Sequence, residues 1–243
     1  MLHLLLRARR GEGGAEAVVA AIDAFTATEP QQVLAFSVLG SRAELGLMAV
    51  GPDLDALDLL AKAVLAGPLE VVDAFVSLTE RSEYTSTEAD ERARLEAEGE
   101  VVSDERMAAW RERTDSYRDA RLHPRLPARR VIAFYPMSKT RTPEANWYEL
   151  SFEERKRLMA GHARVGRRYA GRVLQLITGA TGLADWEWGV TLLADDPATI
   201  KEIVYEMRFD PVSARYAEFG PFWVGLVMPP AEVLARAGLE ARS

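Results

Sequence analysis

The order of patterned segments is the feature that most narrows the folds open to this chain. The apolar run from Met1 to Arg10 reads as a strand, Gly11 to Gly14 as a turn, and Ala15 to Phe25 carries the spacing of a helix. Gln32 to Leu39 and Leu45 to Val50 read as strands around the polar turn Gly40 to Glu44. Pro52-Asp53 then opens a helix with Leu54, Leu57, Leu60 and Val64 on one face. Gly67-Pro68 ends that helix, and Leu69 to Leu78 reads as a strand. Strand, helix, strand, strand, helix, strand is the split βαβ, or ferredoxin-like, arrangement.

The same order returns further on. A strand over 130–138 leads through a loop to a helix around His162, then to strands 171–178 and 186–193. Asp196-Pro197 opens another helix, Phe222 to Val227 reads as a last strand, and Ala231 to Leu239 as a terminal helix after Pro229-Pro230. The fold class expected is therefore α+β: two tandem ferredoxin-like halves with their sheets packed together as a dimeric α+β barrel. The halves are expected at 1–79 and 130–243, joined by a charged arm over 80–129. No residue-level similarity links the halves, so the duplication rests on element order alone.

The arm contains TEADERARLEAEGE, at 87–100, and reads as a solvated helix or a mobile connection. Arg111, Arg113, Arg118, Arg121 and Arg125 follow it, and on spacing alone they form a solvated face. A formal net charge of -7 argues against non-specific nucleic-acid binding, which needs a basic field. The absence of cysteine excludes disulfides, thiolate metal sites and thiol nucleophiles. The opening apolar run is too short for a signal-peptide core, and no stretch approaches the roughly 20 apolar residues that span a bilayer. A cytoplasmic protein without a membrane span is expected.

Chemistry concentrates between Val131 and Gly225. Ser151 can cap the central helix, Glu154 stands at the capping-box position, and Leu158, Met159, His162, Val165 and Tyr169 recur at helical spacing. His162 is thus expected to point into the core, where a hydrogen-bonded core histidine and a metal ligand are both open readings. The chain has three histidines, which rules out a histidine-rich metal cage. His3 at the terminus and His123 in a polar arm are expected to face solvent. On the preceding strand Tyr135, Met137 and Lys139 share one face and Phe134 takes the other. Tyr135 reads equally well as a sheet aromatic. Arg167 and Arg208 could be surface ion pairs, although Arg208 precedes Phe209, which argues against its full exposure.

FYPMSK (134–139), NWYEL (146–150), GRRYAGRVLQLITGATGLADWEWGVTL (166–192) and YEMRFDPVSARYAEFGPFWVG (205–225) together resemble coproheme decarboxylase. That family is the peroxide-dependent haem synthase branch of the chlorite dismutase superfamily. The likeness runs through the C-terminal half and reaches back to RLHPRLP (121–127); the N-terminal half is similar only in layout. The resemblance implies decarboxylation of two propionates of Fe-coproporphyrin III (coproheme) to vinyls by hydrogen peroxide, giving haem b. The substrate is then its own redox cofactor. By position within the shared words, the resemblance makes His162 the iron ligand, Tyr135 the radical relay and Lys139 its assistant. It places Arg121, Arg208 and Ser213 on porphyrin carboxylates, Arg167 beside the pocket and Met137 at the porphyrin edge. It also implies a homopentamer, with a ferrochelatase as the supplier of coproheme. Chlorite dismutase itself is the nearest rival, but its distal arginine is matched here by Gln175, a neutral amide. A non-enzymatic haem carrier is the other rival, and it would need neither Tyr135 nor Lys139.

Overall fold

The computed structural model describes residues 1–9, 14–40 and 42–239; of the expected first turn, Gly11 to Gly13 lie outside them. The first half runs β1 (Leu2–Ala8), α1 (Ala15–Thr26), β2 (Gln32–Val38), β3 (Leu45–Val50), α2 (Leu54–Leu65) and β4 (Leu69–Val76). The side chain of Asp53 accepts the Asp55 N–H at the start of α2, so the Pro-Asp signal is a true helix start. The expected strand to Leu78 is broken at Ser77, and β5 (Leu78–Thr79) continues it in a new pairing. Two charged helices follow, α3 (Glu88–Ala97) and α4 (Asp104–Leu122), which bury only Leu95 and Met107.

The second half begins with β6 (Val131–Lys139), the short hairpin strands β7 (Arg141–Thr142) and β8 (Ala145–Asn146), and α5 (Phe152–Arg167). It continues with β9 (Val173–Gly179), β10 (Trp188–Ala194) and α6 (Pro197–Met207). A short helix α7 (Pro211–Tyr216) and strand β11 (Ala217–Phe219), absent from the sequence reading, precede β12 (Trp223–Val227) and α8 (Pro230–Arg236). None of the described helices is long and apolar enough to cross a membrane.

All strand pairs of the main sheet are antiparallel, in the order β4-β1-β3-β2-β12-β6-β10-β9-β5 with β11 on β6. Within each half the order is the same, since β12, β6, β10 and β9 repeat the places of β4, β1, β3 and β2. The halves join by their edges. β2 pairs with β12 on one side, and β5, the continuation of β4, pairs with β9 on the other, which closes the sheet into a barrel. The Thr178 hydroxyl donates to Ser77 Oγ at 2.8 Å across that second seam, and the Ser77 N–H donates to the Met1 carbonyl at 3.0 Å.

Alternation then sorts every strand between two cores. On β1, Leu2, Leu4 and Leu6 point outward under α1, α2 and α8, while Leu5 points into the barrel with Phe36, Met48, Ile132, Phe134, Leu193 and Trp223. Phe36 fills the barrel at the expense of its neighbours' side chains: a Cβ on Gly46 would lie 2.1 Å from its ring, and one on Gly225 2.6 Å. Glycine is required at both positions by this close approach.

His3 corrects the expectation of a solvent-facing terminus. β1 lies between β4 and β3, so its inward residues are enclosed, and His3 is fully buried. Its ring stacks on Phe134 with centroids 3.9 Å apart, its Nε2 hydrogen-bonds Thr191 Oγ1 at 3.0 Å, and its Nδ1 has no partner among the described residues. Burial lowers the imidazole from 6.5 to about 3. In that interval the unfolded chain binds the proton and the folded chain does not, so stability is full above pH 6.5 and falls as pH drops toward 3. The slope approaches about 1.4 kcal/mol per pH unit. Urea unfolding of His3→Leu against the parent at pH 7, 6, 5 and 4 should show the variant losing less stability on acidification; parallel losses would refute this role.

Candidate functional site

The outer face of the second half is covered unevenly. Ile200 and Ile203 of α6 close over Val131, Ala133, Leu192 and Ala194, and that end is a sealed core. Gln175 and Val224, which flank Leu192 and Ala133 in the sheet, are only half-buried, as are Ile177, Met137 and Phe219 further along. The inner face of α5 matches them, with Met159, His162 and Val165 half-buried and Leu158 the one fully buried residue of the helix. Two half-covered faces thus lie opposite each other. They touch where the Gln175 amide donates to the Gly166 carbonyl at 3.3 Å, and a Cβ on Gly166 would lie 3.2 Å from that amide nitrogen.

Ser151 caps α5 by accepting the Glu154 N–H, while the Glu154 carboxylate pairs with Arg157 instead of completing a capping box. His162 is not the core residue expected from its spacing. Its side chain keeps 28% of its surface, because α5 leans on α7 and α6 rather than lying flat on the sheet. Its Nδ1 lies 2.6 Å from a carboxylate oxygen of Asp210, which is 5% exposed at the start of α7. Burial holds the imidazole below its ordinary value against the opposing pull of Asp210. Because a carboxylate can only accept, Nδ1–H donates to Asp210, and Nε2 is left on the opposite side of the ring.

Tyr135 lies on β6 in register with Val190 of β10. Its ring stacks on Phe222 at 4.3 Å and meets Phe219 at 5.9 Å. Burial raises its phenol to about 12, partly offset by the Arg208 guanidinium. Arg208 is exposed where α6 ends, beside Phe209, which is 70% exposed and packs edge-on against Tyr205. Its guanidinium is nonetheless fixed, 3.7 Å above the Phe219 ring. Met137 pairs with Trp188 on one side and Phe219 on the other.

Lys139 is buried at the end of β6, with its ammonium 4.4 Å from the centre of the Trp147 ring. Desolvation lowers it to about 8, against the attraction of Asp210 and Glu187, and its charge is felt at His162. Asp210 thus acts on the imidazole and the amine together. Ser213 is buried in α7 and donates its N–H to the Asp210 carbonyl at 3.0 Å. Arg121, at the end of α4, donates to the Glu80 carbonyl and the Tyr117 hydroxyl, both at 3.3 Å, and Glu80 in turn accepts from Trp188 beside Met137. Arg167 is exposed at the end of α5.

Tyr135, Met137, Lys139, His162, Arg208 and Ser213 thus gather around one end of the sheet and its covering helices, and Gln175 lies further along the same face, level with Ala133. Arg121 reaches that rim through Glu80, and Arg167 stays on its outside. Asp210 and the aromatic pair Phe219 and Phe222 were missed. The only available signal for Asp210 was an Asp-Pro pair opening a helix, the same as at Asp196-Pro197, and nothing local ties it to a histidine 48 positions away.

The family model for chlorite dismutase matches residues 13–228. A haem-binding protein from Thermus thermophilus superposes with a TM-score of 0.75 at 32% identity, over 98% of this chain and 94% of that one. A chlorite dismutase variant of Candidatus Nitrospira defluvii superposes with a TM-score of 0.72 at 16% identity, over 97% and 94%, and so shares the fold. A protein of Natronomonas pharaonis named for haem binding is 40% identical over 93% of this chain and 36% of its own length. One of Haloarcula marismortui, also named for haem binding, is 41% identical over 88% of this chain and 31% of its own length. The chain therefore spans about a third of the curated relatives it matches. It belongs to the chlorite dismutase family.

Asp210→Asn should lower the His162 pKa further, because it removes the charge that opposes desolvation. NMR titration of the His162 ring protons measures this, and an unchanged midpoint would refute the coupling.

Proposed function

We propose that this protein binds ferric coproheme between α5 and the half-covered face of the second sheet and decarboxylates two of its propionates with hydrogen peroxide. The observation that carries the reading is the grouping of a carboxylate-oriented imidazole, a buried tyrosine and a buried lysine beside the half-buried face of the second sheet. The names of relatives at 32% and 40% identity, which speak of haem binding, support it.

The residues fit such a ligand. His162 would hold iron through Nε2, with Asp210 fixing the ring orientation and raising its basicity. Met137, Ile177 and Val224 supply an apolar wall for the macrocycle, and Arg208, Ser213 and Arg121 supply donors for its carboxylates. Arg167, exposed at the end of α5, would lie outside the porphyrin's contacts. Bound coproheme supplies the redox centre at which peroxide is reduced.

For each propionate, one peroxide and one proton are consumed, and one vinyl, one carbon dioxide and two waters are formed. Tyr135 would serve as the one-electron donor and would take a hydrogen atom from the propionate side chain. Its buried setting suits this, because a phenol raised to about 12 keeps its proton until it is oxidised. Lys139 answers the proton requirement, since an amine near 8 both holds and releases a proton at neutral pH. A homopentamer, a cytoplasmic setting and a ferrochelatase supplying coproheme belong to the same reading.

Gln175 disfavours chlorite turnover. A neutral amide bound to the Gly166 carbonyl brings no cation to hold an oxyanion. Oxygen-electrode traces with chlorite and the haem-loaded protein should stay flat; rapid oxygen release would favour chlorite turnover over decarboxylation.

Tyr135→Phe keeps the ring and its stacking on Phe222, so coproheme binding and thermal stability should change little. Peroxide-driven loss of carbon dioxide should nearly stop. Mass spectrometry of the porphyrins after peroxide addition decides this, and normal haem b formation by the variant would defeat the mechanism.

A further inference from the structure

Glu187 is a buried carboxylate to which the decarboxylation chemistry assigns no part. It precedes β10, its side chain is 8% exposed, and both of its oxygens are engaged. One accepts the backbone N–H of Lys139 at 2.7 Å and the other accepts the Tyr148 hydroxyl at 2.6 Å, with the Arg141 guanidinium 3.6 Å away. The Glu187 N–H in turn is shared between the Met137 carbonyl at 3.1 Å and Ser138 Oγ at 3.2 Å.

Those partners are the two feet of one loop. Lys139 is where the chain leaves β6, and Tyr148 is where it returns after the β7–β8 hairpin, immediately beyond Trp147. Trp147 donates its N–H to the Thr140 carbonyl at 3.0 Å, packs edge-on against Tyr216 at 5.4 Å, and lays its indole face over the Lys139 ammonium. One carboxylate therefore fastens both the strand end that carries the amine and the turn that carries its aromatic cover. A cavity of about 430 Å³ opens beside the same lysine, and its lining includes the charged groups Arg141, Asp185 and Glu218 together with Trp186.

We propose that Glu187 is the positioning residue for Lys139: through the Lys139 amide and Tyr148 it holds the amine under Trp147, between Asp210 and an open cavity from which it regains protons. This rests on the coproheme reading and deepens it. Lys139 becomes a relay of protons rather than a permanent partner of one propionate. A buried ammonium with no hydrogen-bonded carboxylate among the described residues depends on such a frame, because its aromatic and Coulombic partners act only while held in place.

The test uses the full chain without porphyrin first. Lys139 acylation by an amine-reactive ester is followed by peptide mass mapping from pH 6 to 10, for the parent, Glu187→Gln, Glu187→Ala and Tyr148→Phe. Glu187→Gln keeps an acceptor for the Lys139 amide but loses the charge, so the labelling midpoint should fall from near 8 by about one pH unit. Tyr148→Phe keeps the charge and loosens the turn, so the limiting labelling rate should rise severalfold, as it should in Glu187→Ala. With coproheme and peroxide, all three variants should bind the porphyrin and accumulate the singly decarboxylated product. Midpoints and rates equal to the parent's in folded variants, with only the melting temperature lowered, would overturn the proposal. Failure of the parent itself to form haem b would instead defeat the coproheme reading, and the labelling result would still decide whether Glu187 positions Lys139.

Discussion

A ferredoxin-like sheet has two open edges, and the whole molecule follows from how those edges are satisfied. Unpaired strand edges leave rows of backbone donors and acceptors that must be matched. Here β2 of the first half takes β12 of the second, and β5 takes β9, so each half completes the other. The break at Ser77 belongs to this constraint: the chain must leave its pairing with β1 before it can pair across the seam with β9. Closure encloses Phe36, Phe134, Trp223 and even His3 in a closed interior, and makes the choice of face absolute for every strand residue.

Once the inner face is sealed, each half has only its outer face to offer. The first half covers it with α1, α2 and α8. The second covers one end with α6 and leaves the other beneath a tilted α5, which rests on α7 and meets the sheet at Gln175 and Gly166. Functional side chains collect there because it is the part of the barrel surface where apolar walls remain only half covered.

Electrostatics in that corner turn on few groups. Asp210 accepts from His162 and attracts Lys139; Glu187 fixes the Lys139 backbone and attracts the same ammonium. Desolvation pulls the imidazole and the amine toward their neutral forms while the two carboxylates pull the other way. Tyr135 sits apart from both carboxylates, stacked on Phe222, with the Arg208 charge acting on its phenol. Proton-handling and electron-handling groups are thus held in different surroundings within that corner.

Local periodicity carried a large share of this molecule. The strand and helix order, the caps at Asp53, Ser151 and Asp196, and the common face of Tyr135, Met137 and Lys139 all follow from alternation, helical spacing and turn chemistry within a few residues. The words FYPMSK and FDPVSARY were legible as a family resemblance, which pointed to His162, Tyr135 and Lys139 without showing what surrounds them. Burial of His3 and the half-open setting of His162 were not legible, because each depends on which element covers a face. Asp210 and Glu187 were invisible for a related reason. Each acts on a residue 48 positions earlier, and a carboxylate becomes a partner only when barrel closure and the lean of α5 bring it within hydrogen-bonding distance of the group it orients.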